Sequence, residues 1–326
     1  MKTTIVLGLM NSGSGAVHDY LSSRKDFYSP FGTSEFKLCT DPMGLENVYV
    51  NCYENFSFFN PSNSIDEFIK YIKKIQNYIV YETYGKGKKL FRQNLDKSTN
   101  EFVTKITDIY YYGNPEFSNF KISNFESLYL KLIKKRYNFF KVRIPVKKEI
   151  FINESIKYIE KIILYNLNKK KISSNSNVVL NQAANIFNPI RSSQYFKNRK
   201  IIIVTRDPRD MFSSMKKRKS KGTPSYDVKL FIKWYKKCFD NIAFKKVIKN
   251  KLILNIKYES FINNFEQENR KICKFLNVNT NFKLKKNFHP KFNLIDSKKN
   301  LYKSKIFLTD SENLLITKYL SKYLQW

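Results

Sequence analysis

The chain has 326 residues, 42% of them hydrophobic, enough to bury a sizeable core in one or two domains. Its 60 Lys and Arg against 27 Asp and Glu give a formal net charge of +33. That charge excludes an acidic, solvating chain and admits a polyanionic partner such as nucleic acid, an anionic membrane surface or an acidic glycan. The lysines are scattered among Ile, Asn, Phe and Tyr and form no arginine stripe, so compositional bias with a solvated surface is the plainer reading.

The first element is a strand over Thr4–Leu9. Its apolar run, Ile5 to Met10, is too short for a signal peptide or a membrane span. No later stretch reaches the ~18 apolar residues that a span needs, so a cytoplasmic location without a transmembrane segment is expected. The basic surface leaves peripheral membrane contact open. The cysteines, Cys39, Cys52, Cys238 and Cys273, form no CxxC pair, and the histidines are His18 and His289. Free buried thiols in a reducing compartment are expected, and no Cys/His zinc site.

Gly8-Leu9-Met10-Asn11-Ser12-Gly13-Ser14-Gly15-Ala16 follows the first strand and precedes a helical pattern through Val17, Tyr20 and Leu21. Small residues let the backbone curl so that successive N–H groups point into one cradle, and a helix N-terminus adds positive potential. An anion site at the carboxyl end of a strand is expected. Gly13 is followed by Ser14-Gly15 rather than Lys-Ser/Thr, so the loop is neither a Walker A motif nor GxGxxG.

Ser64-Ile65-Asp66-Glu67 has capping-box spacing, and Phe68, Ile69, Ile72, Ile75 and Ile79 then repeat at helical intervals. The region 56–176 is expected to be mostly helical and loop-like, an insertion shaping a substrate site. Its aromatics include Phe56, Phe58, Phe59, Tyr81, Tyr84, Tyr110, Tyr111 and Tyr112. Core packing is the simplest reading of most of them, and aromatic faces beside lysines also suit sugars.

Further strands are expected over Asn177–Leu180, Lys200–Thr205 and Leu252–Ile256, all short and β-branched as buried parallel strands are. The strand over Lys200–Thr205 runs into Arg206-Asp207-Pro208-Arg209-Asp210, where Pro208 opens a helix at a position that proline tolerates. Arg206 can grip a phosphate bidentately, and Ser214, two helical turns on, can reach the same group. The bland alternative pairs Arg206 with Asp210. Helices are expected over Asp227–Ile248, over Ser260–Leu276 and after Thr309-Asp310-Ser311-Glu312, a second capping box. Alternating strands and helices predict an α/β fold: one P-loop-like domain over 1–326, with a central parallel sheet flanked by helices and a mostly helical insertion.

These segments together resemble the sulfotransferase family, in a pattern nearest to its bacterial and glycan-modifying members. The loop from Gly8 to Ala16 resembles the family's 5′-phosphosulfate loop, and Val204 to Asp210 with Ser214 resembles its 3′-phosphate site. The stretch Leu252–Phe261 with Arg270–Leu276 is similar to the family's late strand, Tyr-Glu turn and following helix, which places Tyr258 near an adenine. The tail from Ser297-Lys298-Lys299-Asn300 through Thr309-Asp310 resembles the family's closing basic loop and helix. The resemblance covers about residues 4–40 and 175–325.

It implies a sulfuryl transfer from 3′-phosphoadenosine 5′-phosphosulfate to a hydroxyl, with no metal. Donor contacts are implied for Asn11, Ser12, Gly13, Ser14, Gly15, Ala16, Arg206, Ser214, Tyr258, Lys298 and Lys299. The family usually has Lys or Arg where this chain has Asn11, a basic residue that neutralises the leaving oxygen. Lys141, Arg143 and Arg191 are the substitutes considered, and a catalytically impaired relative is an alternative. Glu35 stands where glycan-modifying relatives place the general base. Asn181 and Gln182 stand where relatives contact sulfate or acceptor. A surface polysaccharide or glycolipid is the expected acceptor. The competing readings are a P-loop nucleotide kinase-like enzyme and a basic nucleic-acid-binding protein.

Overall fold

The computed structural model describes residues 1–80, 88–91, 94–113, 125, 128, 129, 140–167, 176–220, 222–240, 250–281 and 307–325. The chain divides into two compact units, Met1–Cys39 with Ile163–Trp326, and Thr40–Ile162.

The first unit is built on five strands: β1 (Lys2–Gly8), β2 (Phe27–Tyr28), β7 (Asn177–Asn181), β8 (Arg199–Thr205) and β9 (Ile253–Lys257). Their order across the sheet is β2-β7-β1-β8-β9, and every pairing is parallel. The four expected strands are present within a residue or two of their expected bounds, and the two-residue edge strand β2 is added to them. Ile5, Val6 and Leu7 are fully buried, as are Ile201, Ile202 and Ile203. Successive strand residues point to opposite faces, so both faces of the sheet are covered, and a parallel sheet requires this.

One face packs on α1 (Ser14–Ser23), α9 (Tyr258–Asn263) and α10 (Phe265–Leu276). Val6, Ile202, Val204 and Ile256 join Val17, Leu21, Phe261 and Ile272 in a single cluster there. A second cluster gathers Leu9 with α7 (Pro208–Lys217), α8 (Val228–Asp240) and α11 (Asp310–Leu320), through Met211, Phe212, Phe231, Tyr235, Ile316 and Leu320. The short helix α6 (Pro189–Ser192) lies between β7 and β8 in the chain.

The Thr309 capping box forms: the Glu312 N–H donates to Thr309 Oγ1, and the Thr309 N–H donates to Glu312 Oε2. The helix expected over Ser260–Leu276 is broken at Asn264, whose φ of −120° and ψ of 48° separate α9 from α10. The helix expected over Asp227–Ile248 is seen as Val228–Asp240, and 241–249 lie outside the described residues.

The second unit holds α2 (Leu45–Tyr49), α3 (Asn60–Ile75), α4 (Asp96–Ile106) and most of α5 (Lys148–Asn166). Phe68, Phe102, Phe151 and Tyr158 interlock in its core, with Phe102 and Tyr158 stacked at 4.6 Å. The capping box expected at Ser64 is not formed. The α3 helix starts one turn earlier: the Asn60 N–H donates to Ser57 Oγ, Pro61 sits in the first turn, and Ser64 Oγ donates to the Pro61 carbonyl. The unit is also not simply helical. It carries two antiparallel ribbons, β3 (Ile79–Val80) with β4 (Lys88–Lys89), and β5 (Thr107–Gly113) with β6 (Phe140–Pro145). Among the described residues no helix is long and apolar enough to cross a membrane.

The ends of β8 and β9 are tied by a buried carboxylate. The Asp207 N–H donates to Glu259 Oε1 at 2.9 Å, and Glu259 Oε2 is buried without a partner. Burial pushes the Glu259 carboxyl up from its ordinary range to about 7, against the opposing pull of the Asp207 N–H. The folded chain therefore holds this proton more tightly than the unfolded chain does. The resulting stability is complete below pH ~4.5 and is lost as the pH rises through ~7, on the order of 3 kcal/mol in all. Glu259→Gln keeps the acceptor oxygen and removes the titration. In thermal unfolding at pH 5 and pH 8, the variant gains on the wild type at pH 8 and not at pH 5. Parallel pH dependence in the two proteins would refute the assignment.

Candidate active site

Because β1, β8 and β9 are adjacent and parallel, the loops that leave their carboxyl ends lie side by side. The loop after β1 turns through two left-handed residues, Asn11 at φ 61° and Gly13 at φ 89°. Asparagine tolerates that region better than most residues, and glycine adopts it freely. A side chain at Gly13 would overlap the Tyr258 ring, and one at Gly8 would overlap Ser12 Oγ. The loop therefore lies flat against the aromatic ring that follows β9. The α1 helix begins at Ser14, and no side chain caps its first turn. Ser12 is 2% exposed and its Oγ is buried without a partner. An uncapped helix start beside an unpartnered hydroxyl is a polar cradle suited to an anion.

Gln182, at the end of β7 with φ 52°, fixes the loop from the other side. Its Nε2 donates to the Gly8 carbonyl at 3.0 Å and to Ser14 Oγ at 3.3 Å, and its Oε1 accepts from the Gly8 N–H at 3.4 Å. Asn181 donates from Nδ2 to the Thr33 carbonyl, and its own carbonyl accepts from the Phe36 N–H. That contact brings the backbone of Glu35 beside Asn181 in an isolated parallel bridge. The Glu35 carboxylate is 44% exposed and forms an ion pair with Lys37 at 2.7 Å.

The turn after β8 supplies the guanidinium. Arg206 is 8% exposed, and its centre lies 4.8 Å from the centroid of the Tyr258 ring. Its Nη1 donates to Ser214 Oγ at 3.1 Å and to the Asn11 carbonyl at 3.2 Å. Asp207 takes a structural pairing in this turn. It caps α7 by accepting from the Arg209 N–H, and it pairs with the Arg209 guanidinium at 2.8 Å. Arg206, Ser214, Asn11, Gly13 and Tyr258 thus form one contiguous group.

Arg218, which the motif reading does not include, joins that group. It follows α7 as its C-cap and donates from Nη1 to Asn11 Oδ1 at 3.1 Å. The signal was present in the spacing, since residues four apart share a helix face, and Arg218 stands four after Ser214.

Lys141 and Arg143 belong to the second unit, where Lys141 lies over the Tyr110 ring at 3.9 Å and Arg143 pairs with Asp66 at 2.8 Å. Arg191 lies on α6. His18 is fully enclosed on α1, and burial pushes it down to about 4, so it is neutral at neutral pH. Lys298, Lys299 and His289 lie outside the described residues. Of the aromatics for most of which core packing is the simplest reading, Phe56, Phe58, Tyr110, Tyr111 and Tyr112 are exposed, Phe59 is half-buried, and Tyr81 and Tyr84 lie outside the described residues.

In comparisons with known proteins, no curated protein matches the chain. Similar solved structures include the sulfotransferase domain from the curacin biosynthetic pathway, 16% identical, covering 98% of this chain and 97% of its own, with a TM-score of 0.43. Another is the mouse sulfotransferase SULT7A1 complexed with PAP, 19% identical, covering 50% of this chain and 70% of its own, with a TM-score of 0.31. A third is sulfotransferase STF1 from Mycobacterium tuberculosis H37Rv, 11% identical, covering 85% and 68%, with a TM-score of 0.39. At TM-scores below 0.5 these likenesses carry no weight on fold or function. The model of the sulfotransferase family matches residues 124–281, a span that includes Gln182, the Arg206 turn, Ser214, Arg218 and Tyr258. Over that span, the chain is similar to the sulfotransferase family.

Proposed function

We propose that the protein transfers a sulfuryl group from 3′-phosphoadenosine 5′-phosphosulfate to a hydroxyl of a carbohydrate, a surface polysaccharide or glycolipid, in the cytoplasm. The observation that carries the donor half is the junction at Asn11. There, one guanidinium bridges the phosphate-type loop and Ser214 while stacking on Tyr258.

In this reading the backbone from Ser12 to Ala16 and the start of α1 receive the 5′-phosphosulfate. Arg206 and Ser214 turn to the 3′-phosphate, Tyr258 lies against the adenine, and Lys298 and Lys299 close over the nucleotide. Gln182 acts through the loop, since its polar atoms already hold Gly8 and Ser14. Transfer forms a bond from the acceptor oxygen to sulfur and breaks the bond from sulfur to the 5′-phosphate oxygen. The electron pair of the broken bond stays on that oxygen. The acceptor proton passes to a base, which we assign to Glu35. Acceptor choice is assigned to the segment 56–176 as an insertion within one catalytic domain. The exposure of Phe56, Phe58, Tyr110, Tyr111 and Tyr112 supports a sugar, whose C–H faces pack on aromatic rings.

Calorimetric titration with 3′,5′-adenosine bisphosphate and with ATP tests the donor half. The bisphosphate binds in preference to ATP. Arg206→Ala weakens it ~100-fold, the loss of two charge-assisted hydrogen bonds. Preference for ATP, or an unchanged affinity in the variant, overturns the donor assignment.

A sulfur-35-labelled donor offered with glycans, lipids and small phenols tests the acceptor half. Label enters glycans, and label confined to phenols overturns the carbohydrate reading. With the labelled acceptor in hand, Glu35→Gln lowers kcat by ~100-fold or more if Glu35 is the base. A near-normal turnover number sinks that role.

A further inference from the structure

The donor loop carries no positive charge of its own: from Gly8 to Ala16 there is not one Lys, Arg or His. Backbone N–H groups alone can cradle a phosphate. Sulfuryl transfer, however, leaves a full extra charge on the 5′-phosphate oxygen, and that demands a cation at the loop. Among the described residues, two guanidinium groups reach the loop, and both bind Asn11. Arg206 donates to its carbonyl and Arg218 to its side-chain oxygen.

The two arginines differ in setting. Arg206 is 8% exposed, lies by Tyr258 and shares Ser214, so its place is fixed by burial. Arg218 is exposed and stands at the C-cap of α7, after the last helical turn. Its hydrogen bond is to a neutral amide oxygen, which offsets none of its charge, and its long side chain can swing from that oxygen onto an anion in the loop. Asn11 holds it beside the loop through its side-chain oxygen. The α7 helix therefore presents Arg206 at its entry, Ser214 two turns on and Arg218 one turn further, so that two phosphates could be met by one element.

We infer that Arg218 is the cation at the leaving-group end of the donor site, delivered from the end of α7 onto the 5′-phosphate, while Arg206 serves the 3′-phosphate. This inference rests on the donor reading above. The substrate group that it recognises is a 5′-phosphate monoester or its mixed anhydride with sulfate.

A ligand comparison separates the two arginines without any acceptor. Calorimetry is run with 3′,5′-adenosine bisphosphate and with adenosine 3′-monophosphate on the wild type, Arg218→Ala, Arg218→Lys and Arg206→Ala. Arg218→Ala weakens the bisphosphate ~10-fold and leaves the 3′-monophosphate within twofold, because only the first ligand carries the group that Arg218 meets. Arg218→Lys keeps the bisphosphate within about threefold of wild type, since a point charge still binds phosphate. Arg206→Ala weakens both ligands. An Arg218→Ala protein that binds the bisphosphate within twofold of wild type overturns the inference, as does one that loses both ligands equally. The first result leaves the donor reading standing. A wild-type protein that binds neither ligand overturns the donor reading and this inference with it. Thermal unfolding of each variant accompanies the titrations, and replacing the exposed arginine at the helix end leaves the transition at its wild-type temperature.

Discussion

The loop after the first strand is held by a contact that only glycine permits. Gly13 lies on the face of Tyr258, with no room for a methyl group between them. That closeness joins the end of β1 to the turn after β9, and Arg206 from the end of β8 lies against the same ring. Three strand ends that share no sequence proximity thus converge on one aromatic side chain. The convergence depends on the order β1-β8-β9 in the sheet, since only neighbouring parallel strands deliver their carboxyl ends to one place. Gly8 adds a second condition, because a side chain there would drive into Ser12 and open the turn. From these two glycines and one tyrosine follows the geometry of the group formed by Asn11, Arg206, Ser214 and Tyr258.

Much of this is legible in the sequence, for a physical reason. Strands buried on both faces must be apolar throughout, so Thr4–Leu9 and Lys200–Thr205 stand out against a polar background. The Thr309 capping box is readable because both of its hydrogen bonds are local. The same spacing at Ser64 misleads, because Ser57 and Pro61 start α3 one turn sooner and leave Ser64 inside the helix. The β5–β6 ribbon is hidden for the opposite reason. Ile109, Tyr110, Tyr111 and Tyr112 are all exposed, so no alternation of buried and solvated positions marks the strand. Its partner also lies about thirty residues further along the chain, beyond any hairpin signal. Arg218 was one helical turn past the last motif residue, and only the course of α7 brings it to Asn11.

The net charge of +33 conceals a division among the arginines. Several are structural and paired with acids: Arg24 with Asp26, Arg143 with Asp66, and Arg209 with Asp207. Arg24 is fully buried and also reaches Tyr20, Cys273 and the Asn279 carbonyl, so it fastens α1 to α10 and the chain beyond it. A paired cation projects little field, because its acid cancels it within a few ångströms. Arg206 and Arg218 bind neutral oxygens instead, so their charge stays available to an incoming anion.

A buried acid that qualifies that statement is Glu259, directly after Tyr258 and linked to the backbone of Asp207. Its field acts on Arg206, and burial lifts its proton affinity to about 7. At neutral pH the carboxyl is therefore charged only part of the time. An acid in this position with an ordinary proton affinity would carry a full negative charge beside the Arg206 guanidinium. Holding it half protonated keeps the basic turn cationic while preserving the hydrogen bond that fixes the ends of β8 and β9. The burial that strengthens this carboxylate as a base thus lowers the negative charge beside Arg206 at neutral pH, while the Asp207 N–H keeps its acceptor.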